Sequence, residues 1–252
     1  MNPPSVVFLG GNGHADVRLE GVRSALEQAG QPFRLVDLEY PAVASYDELL
    51  AQLALRMEQL DEQTPVGLVY ATGIGGLIAL SLRARGALRH QHLVLQGAVL
   101  WGLERRWFPR LMRLPGMPGL LTRAFRNERV RARFVARHLH STPAPEWVER
   151  FFAGYGDADA FARWFAWLTP ALLRRLEVEL AARPDALEQL EVWWGDADSV
   201  VGLEELRLSE RALGRALPVR TFAGWSHYPM IDEPRAWVAE VSRALDAAGA
   251  LL

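Results

Sequence analysis

Short apolar runs bounded by glycine-rich turns alternate, through the first part of the chain, with segments whose apolar positions recur at helical spacing. Ser5-Val6-Val7-Phe8-Leu9 runs into Gly10-Gly11-Asn12-Gly13 and reads as a buried strand entering a tight loop. Val22, Leu26 and Ala29 mark a helix around residues 20–29, which Gly30 stops. A strand at 33–38 follows, and Ser45 then caps an amphipathic helix reaching Leu60, with Glu48 completing a capping box. The run at 66–71 leads through Thr72-Gly73-Ile74-Gly75-Gly76 into a helix ending near Gly86, and 92–99 forms a fourth strand. The pattern resumes at Leu190-Glu191-Val192-Trp193-Trp194 and at 218–222, with helices around 203–213 and 234–248. Six strands, around positions 7, 35, 68, 95, 192 and 220, separated by helices predict an α/β fold with a mostly parallel sheet covered on both faces.

The rhythm breaks between residues 101 and 186, where no strand pattern occurs and several helical ones do. Five of the nine tryptophans fall here: Trp101, Trp107, Trp147, Trp164 and Trp167. Arginine is dense, with Arg105, Arg106, Arg110, Arg113, Arg123, Arg126, Arg129, Arg131, Arg133 and Arg137 against only Glu104 and Glu128 before His138. Pro115, Gly116, Pro118 and Gly119 predict a loop within the segment. The expected organisation is a core of residues 1–100 and 187–252 with a helical insertion, 101–186, over the end of the sheet.

A chain of 252 residues, half of them hydrophobic, can bury a sizeable core as a single α/β domain. Cysteine is absent, which excludes disulfides and a thiol nucleophile. Lysine is absent too, so every basic side chain is arginine or histidine. The net charge of -2 argues against nucleic acid as the main partner. Met1-Asn2-Pro3-Pro4 has no positive leader region and no run approaches transmembrane length, so the expectation is a cytoplasmic, soluble protein without stable membrane insertion. The oligomeric state is open.

Ala71-Thr72-Gly73-Ile74-Gly75 has the shape of a nucleophile elbow, a strained strand-to-helix turn with small outer residues. The usual pattern is Gly-x-Ser-x-Gly; here the centre is Gly73. Placing Thr72 at the centre would put Tyr70 and Ile74 at the small positions, which neither fits. Read more plainly, the stretch is a strand-to-helix turn able to receive a phosphate at the helix N-terminus.

Two further loops follow strand ends, where ligands bind in open parallel sheets: one carries Asp198, the other His227. Trp194-Gly195-Asp196-Ala197-Asp198 resembles the Trp-Gly-x-x-Asp acid loop of the α/β-hydrolase superfamily. Gly224-Trp225-Ser226-His227-Tyr228-Pro229, followed by Asp232-Glu233-Pro234, resembles its histidine loop, in the superfamily's order of nucleophile, acid, histidine. The likeness runs from Ser5 to the C-terminus apart from the insertion, which corresponds to the superfamily's cap, and the antiparallel hairpin that usually opens the fold is expected to be missing. It implies that Asp198 orients His227, with Asp196 as rival acid, and that the backbone N–H groups of Ile74 and Asn12 form an oxyanion hole. Gly10-Gly11 replaces the superfamily's His-Gly dipeptide, and Asn12 and His14 are candidate polar groups of the pocket beside Gly11.

Glycine offers no atom for a covalent intermediate, and triad hydrolases lose on the order of a million-fold in turnover without their nucleophile. Three readings stay open. His227 and Asp198 activate water or a substrate proton directly, without cofactor or metal, on a small apolar or aromatic substrate; such chemistry resembles the superfamily's cofactor-free lyases and oxygenases. Alternatively, the chain is a catalytically inactive relative that binds a small ligand or a protein. The third is that Gly73 is an engineered substitution that traps substrate.

Overall fold

The structure, a computed structural model, describes residues 3–11, 16–140, 142–153 and 158–249. Six strands form one sheet: Ser5–Leu9 (β1), Arg34–Asp37 (β2), Val66–Thr72 (β3), His92–Gln96 (β4), Leu190–Gly195 (β5) and Val219–Phe222 (β6). Their order is β2-β1-β3-β4-β5-β6 and every pairing is parallel. This is the parallel α/β sheet that the strand and helix rhythm predicts. The chain winds outward in opposite directions from β1 and β3, so the crevice at their C-terminal ends is the topological switch point.

The central strands are apolar on both sides because helices cover both sides. Leu9, Ala71, Leu95 and Val192 stand in register across the sheet and face one core. That core is closed by Tyr46–Gln63 (α2), Ile74–Ala84 (α3), Pro170–Ala181 (α9) and Leu203–Leu213 (α10). Phe8, Tyr70 and Val94 face the other, closed mainly by Glu20–Gln28 (α1) and Pro234–Gly249 (α12), with Trp237 seated edge-on against Tyr70 and Phe8. Ser45 caps α2 by accepting from the Glu48 N–H, but the Glu48 carboxylate reaches back to the Ala44 N–H, one residue beyond the usual capping-box donor.

Between β4 and β5 the described chain is helical: a short 3-10 turn at Trp101–Arg105, then Trp107–Leu111 (α4), Met117–Phe125 (α5), Glu128–His138 (α6), Pro145–Ala153 (α7), Ala158–Trp167 (α8) and α9. The predicted loop is shorter than expected, ending at Gly116, because Pro118 occupies the first turn of α5, where its missing N–H costs nothing. A short helix at Pro229–Asp232 (α11), which no periodicity announced, follows the histidine loop.

Helix α3 lies so close to β1 that Gly75 has no room for a side chain. A Cβ there would stand 2.2 Å from the Leu9 carbonyl oxygen and 2.8 Å from that of Gly10. The neighbouring Gly76 would meet the Ala98 methyl at 2.3 Å. Gly75→Ala is expected to destabilise the fold by about 2–3 kcal/mol through this overpacking, read as a lower urea midpoint at unchanged m-value.

Candidate active site

The turn from β3 into α3 places Gly73 at φ 55° and ψ -125°, a backbone conformation that favours glycine. Its carbonyl accepts from the N–H groups of Val99, at 2.8 Å, and Gly76, which ties the turn to the chain leaving β4. A Cβ at position 73 would meet only the Gly11 Cα at 3.5 Å and His227 Nε2 at 3.7 Å, both ordinary contacts. The turn is therefore strained in the manner of an elbow, and its central position opens onto an imidazole.

His227 is buried, and its Nδ1 lies 2.9 Å from Asp198 Oδ2, with the two side chains only 4 % and 0 % exposed. The second carboxylate oxygen accepts from the backbone N–H groups of Val200 and Val201, at 2.8 and 3.1 Å. Burial pushes the Asp198 carboxyl up, but the charge and hydrogen bond of His227 and these two amides outweigh it and hold it below its ordinary range. An ionised carboxylate only accepts, so Nδ1 carries the hydrogen, and in the neutral ring Nε2 is then the nitrogen with the lone pair. Asp196, the rival acid, is exposed and accepts from the Gly224 N–H instead, bracing the turn that leads to His227. Gly97 makes the pairing possible: it sits at positive φ, and a Cβ there would press to 2.7 Å from Asp198 Oδ2 and 2.9 Å from His227 Nδ1.

A cavity of about 290 Å³ opens beside this pair, and Gly11, Gly73, Ile74 and His227 all contribute to its wall. Ile74 opens α3, so its N–H belongs to the helix turn that lacks internal acceptors. Arg18 and Tyr40 hold the chain leaving β1, donating to the carbonyls of Gly11 and Gly10, each at 2.6 Å. Thr72, the last residue of β3, is fully buried and does not reach the cavity. Asn12 and His14 lie outside the described residues. No group of three or more potential metal ligands occurs among the described residues.

Most of the remaining wall comes from the helical segment: Trp107, Phe108, Phe134 and Phe165, with His138 and Arg137. The sequence counted Trp107 and Arg137 among the segment's tryptophans and arginines but marked neither Phe108, Phe134, Phe165 nor His138, because helical spacing marks burial without saying what a side chain faces. His138 is the most consequential. Its ring packs on Phe134, stacks on Tyr228 at 5.4 Å and meets the His227 ring edge-on at 5.1 Å. Its Nδ1 is tied to the Phe134 carbonyl, which leaves Nε2 as an acceptor in the neutral ring. Burial, reinforced by repulsion from His227, pushes its pKa down to about 3, so it stays neutral next to the dyad. Burial likewise lifts the Tyr228 hydroxyl to about 12, keeping it protonated.

A histidine depressed in the folded state binds its proton more readily when unfolded. Its contribution is complete above the unfolded value near 6.5 and is lost as pH falls toward about 3. Across pH 4–6 the slope of stability should reach about 1.4 kcal/mol per pH unit from this group alone. His138→Gln is expected to flatten that slope by one proton in urea titrations at stepped pH, and an unchanged slope would show that His138 titrates freely.

Solved structures share the fold. Haloalkane dehalogenase DbeA-M1 loop variant from Bradyrhizobium elkanii superposes with a TM-score of 0.69 at 15 % identity, covering 99 % of this chain and 91 % of its own. The 2-hydroxy-6-oxo-6-phenylhexa-2,4-dienoate hydrolase of Rhodococcus sp. strain RHA1 gives 0.68 at 17 % identity, covering 97 % and 91 %. An alpha/beta hydrolase fold protein from Burkholderia ambifaria gives 0.69 at 17 %, covering 96 % and 90 %. A comparison with curated proteins finds no match. The family profile described as Alpha/beta hydrolase family matches residues 7–241, nearly the whole chain. With the parallel sheet, the elbow turn and the acid and histidine loops in their order, the chain belongs to the alpha/beta hydrolase family.

Proposed function

We propose that the protein is a hydrolase or lyase-like enzyme that uses His227 and Asp198 to activate water, or a proton of the substrate, without a covalent step. In this reading Gly73 stands where the family's elbow carries its nucleophile, and residues 101–186 act as the cap that selects the ligand. The observation that carries it is the position of His227 Nε2, 3.7 Å from where a Cβ at position 73 would stand. Removing a serine side chain leaves about the space a water needs, and a water there would lie within reach of Nε2. The Ile74 N–H, at the start of α3, is the amide on hand for a developing oxyanion, with the Asn12 N–H as the partner the family resemblance supplies.

The cavity suits a small apolar or aromatic substrate, since Ile74, Val99, Phe108, Phe134, Phe165 and Leu168 outnumber its polar groups. Two of the structural neighbours are named for such chemistry, a dehalogenase and a hydrolase of a phenyl-bearing dienoate. The second reading, a catalytically inactive relative holding a ligand or protein, draws on the same missing side chain at Gly73.

The test is hydrolysis of a panel of activated aryl esters and of vinylogous diketone substrates. General-base catalysis is worth about 10²–10⁴, so His227→Ala is expected to lower turnover by at least a hundredfold. Gly73→Ser places a hydroxyl beside His227 in the strained turn that elbow nucleophiles tolerate, and esterase activity with a burst phase is expected to appear. Turnover by the unaltered protein that survives His227→Ala would sink the dyad reading. No activity on any panel member, with a gain in Gly73→Ser alone, favours the binding protein.

A further inference from the structure

Six large apolar side chains are conspicuously exposed among the described residues, and three of them fall within one short stretch of the helical segment. Trp107 is 70 % exposed, Leu114 53 % and Leu120 60 %. Scattered exposed apolar residues are ordinary; these are not scattered. The turn after α4 continues its helical hydrogen bonding through Met112, Arg113 and Leu114, so Trp107, Arg110 and Leu114 follow one another at helical spacing along its outer side. On α5, Leu121 and Phe125 pack inward while Leu120 and Arg123 look outward.

The cations of this face are unspent. Arg110, Arg113 and Arg123 are exposed and pair with no carboxylate among the described residues. Of the acids nearest in sequence, Glu104 is engaged by Arg174 at 3.2 Å, and Glu128, at the start of α6, makes no ion pair with these arginines among the described residues. Elsewhere in the segment arginines do find acids, as Arg131 does with Glu149 and Arg106 with the buried Glu205. Along residues 107–123, exposed tryptophan and leucine interleave with arginines that pair with no carboxylate among the described residues, a composition chemically matched to one kind of surface. The apolar residues enter the acyl boundary, the guanidiniums meet phosphate, and indole prefers the level between them.

We propose that the outer face of α4 and α5 docks on an anionic phospholipid bilayer. The association is peripheral, because no helix of the described chain is long and apolar enough to cross a membrane. An acidic protein would be met by the arginines alone and gives no role to Leu114 and Leu120. The overall charge of -2 does not favour nucleic acid. Trp107 belongs both to this face and to the wall of the cavity beside Gly73. Docking would therefore set the aromatic cavity against the lipid phase, from which an apolar ligand can partition. The proposal stands whether or not the cavity performs catalysis.

The test is co-sedimentation of the full chain with phosphatidylcholine vesicles, with and without phosphatidylglycerol. Binding is expected only with phosphatidylglycerol, and it should weaken as salt is raised. Each arginine near an anionic surface contributes roughly fivefold, so Arg110→Gln, Arg113→Gln and Arg123→Gln together should lower partitioning by about a hundredfold. Leu114→Asp with Leu120→Asp should also abolish pelleting at an unchanged melting temperature, since both side chains already face solvent. Equal pelleting with and without the anionic lipid overturns the proposal, as does indifference to both sets of substitutions. Retention on immobilised polyglutamate through the same arginines, with no vesicle binding, overturns it in favour of an acidic protein partner.

Discussion

Close approach of backbone to backbone at the C-terminal edge of the sheet is the constraint on which the site depends. Gly75 lets α3 start against the carbonyls of Leu9 and Gly10, and Gly195 lets the histidine loop pass 2.1 Å from where its Cβ would be, at the Trp225 carbonyl. Gly97 clears the space in which Asp198 and His227 meet. Each of these glycines forgoes a side chain's worth of packing and carries the larger backbone entropy cost of ordering glycine. What is gained is convergence: the loops after β5 and β6 meet at 2.9 Å between Asp198 and His227, and Gly73 faces the imidazole from the turn after β3.

Much of this was legible because it is local. Each central strand is a run of residues largely buried on both faces, and such runs announce themselves without reference to a partner. The elbow, acid loop and histidine loop are likewise written in contiguous residues whose small or rigid members the turns require. The choice of Asp198 over Asp196 rested on loop spacing, and the geometry shows the division of labour: Asp198 meets the ring, while Asp196 braces the Gly224 turn. What the sequence left dark is non-local. Phe134, Phe165 and His138 face the cavity only because α6 and α8 fold over it, and periodicity records that a helix buries a side without recording against what. Pro118 misled for a related reason, since the same residue ends loops and opens helices. The arginines of the segment could be counted but not sorted, because pairing with Glu149 or Glu205 depends on tertiary placement.

The electrostatic arrangement around the cavity is economical. Two imidazoles stand 5.1 Å apart, and simultaneous protonation would set like charges against each other in an apolar surrounding. Burial resolves the conflict by keeping His138 neutral, and the Phe134 carbonyl fixes its tautomer. The Asp198 charge is then available to a single ring. Tyr228, also kept neutral, closes the other side of His138. The result is an apolar chamber in which His138 and Tyr228 stay neutral beside the paired Asp198 and His227.

That arrangement bears on whether the pair is a structural clasp or a working base. A clasp between two loops needs the Nδ1–H to Asp198 bond and nothing more. The acid loop is already anchored by the amides of Val200 and Val201, and the histidine loop by Ser226, whose hydroxyl donates to Asp232 and accepts from the Tyr228 N–H. With the loops held independently, the buried ion-pairing capacity of Asp198 is more than a clasp requires, and burying it has a desolvation cost that a neutral partner would have avoided. A carboxylate held ionised behind an imidazole has its largest effect when the imidazole becomes charged, by stabilising the imidazolium. Held ionised and buried against Nδ1, Asp198 supplies the orientation and the charge that the proposed base role of His227 calls for.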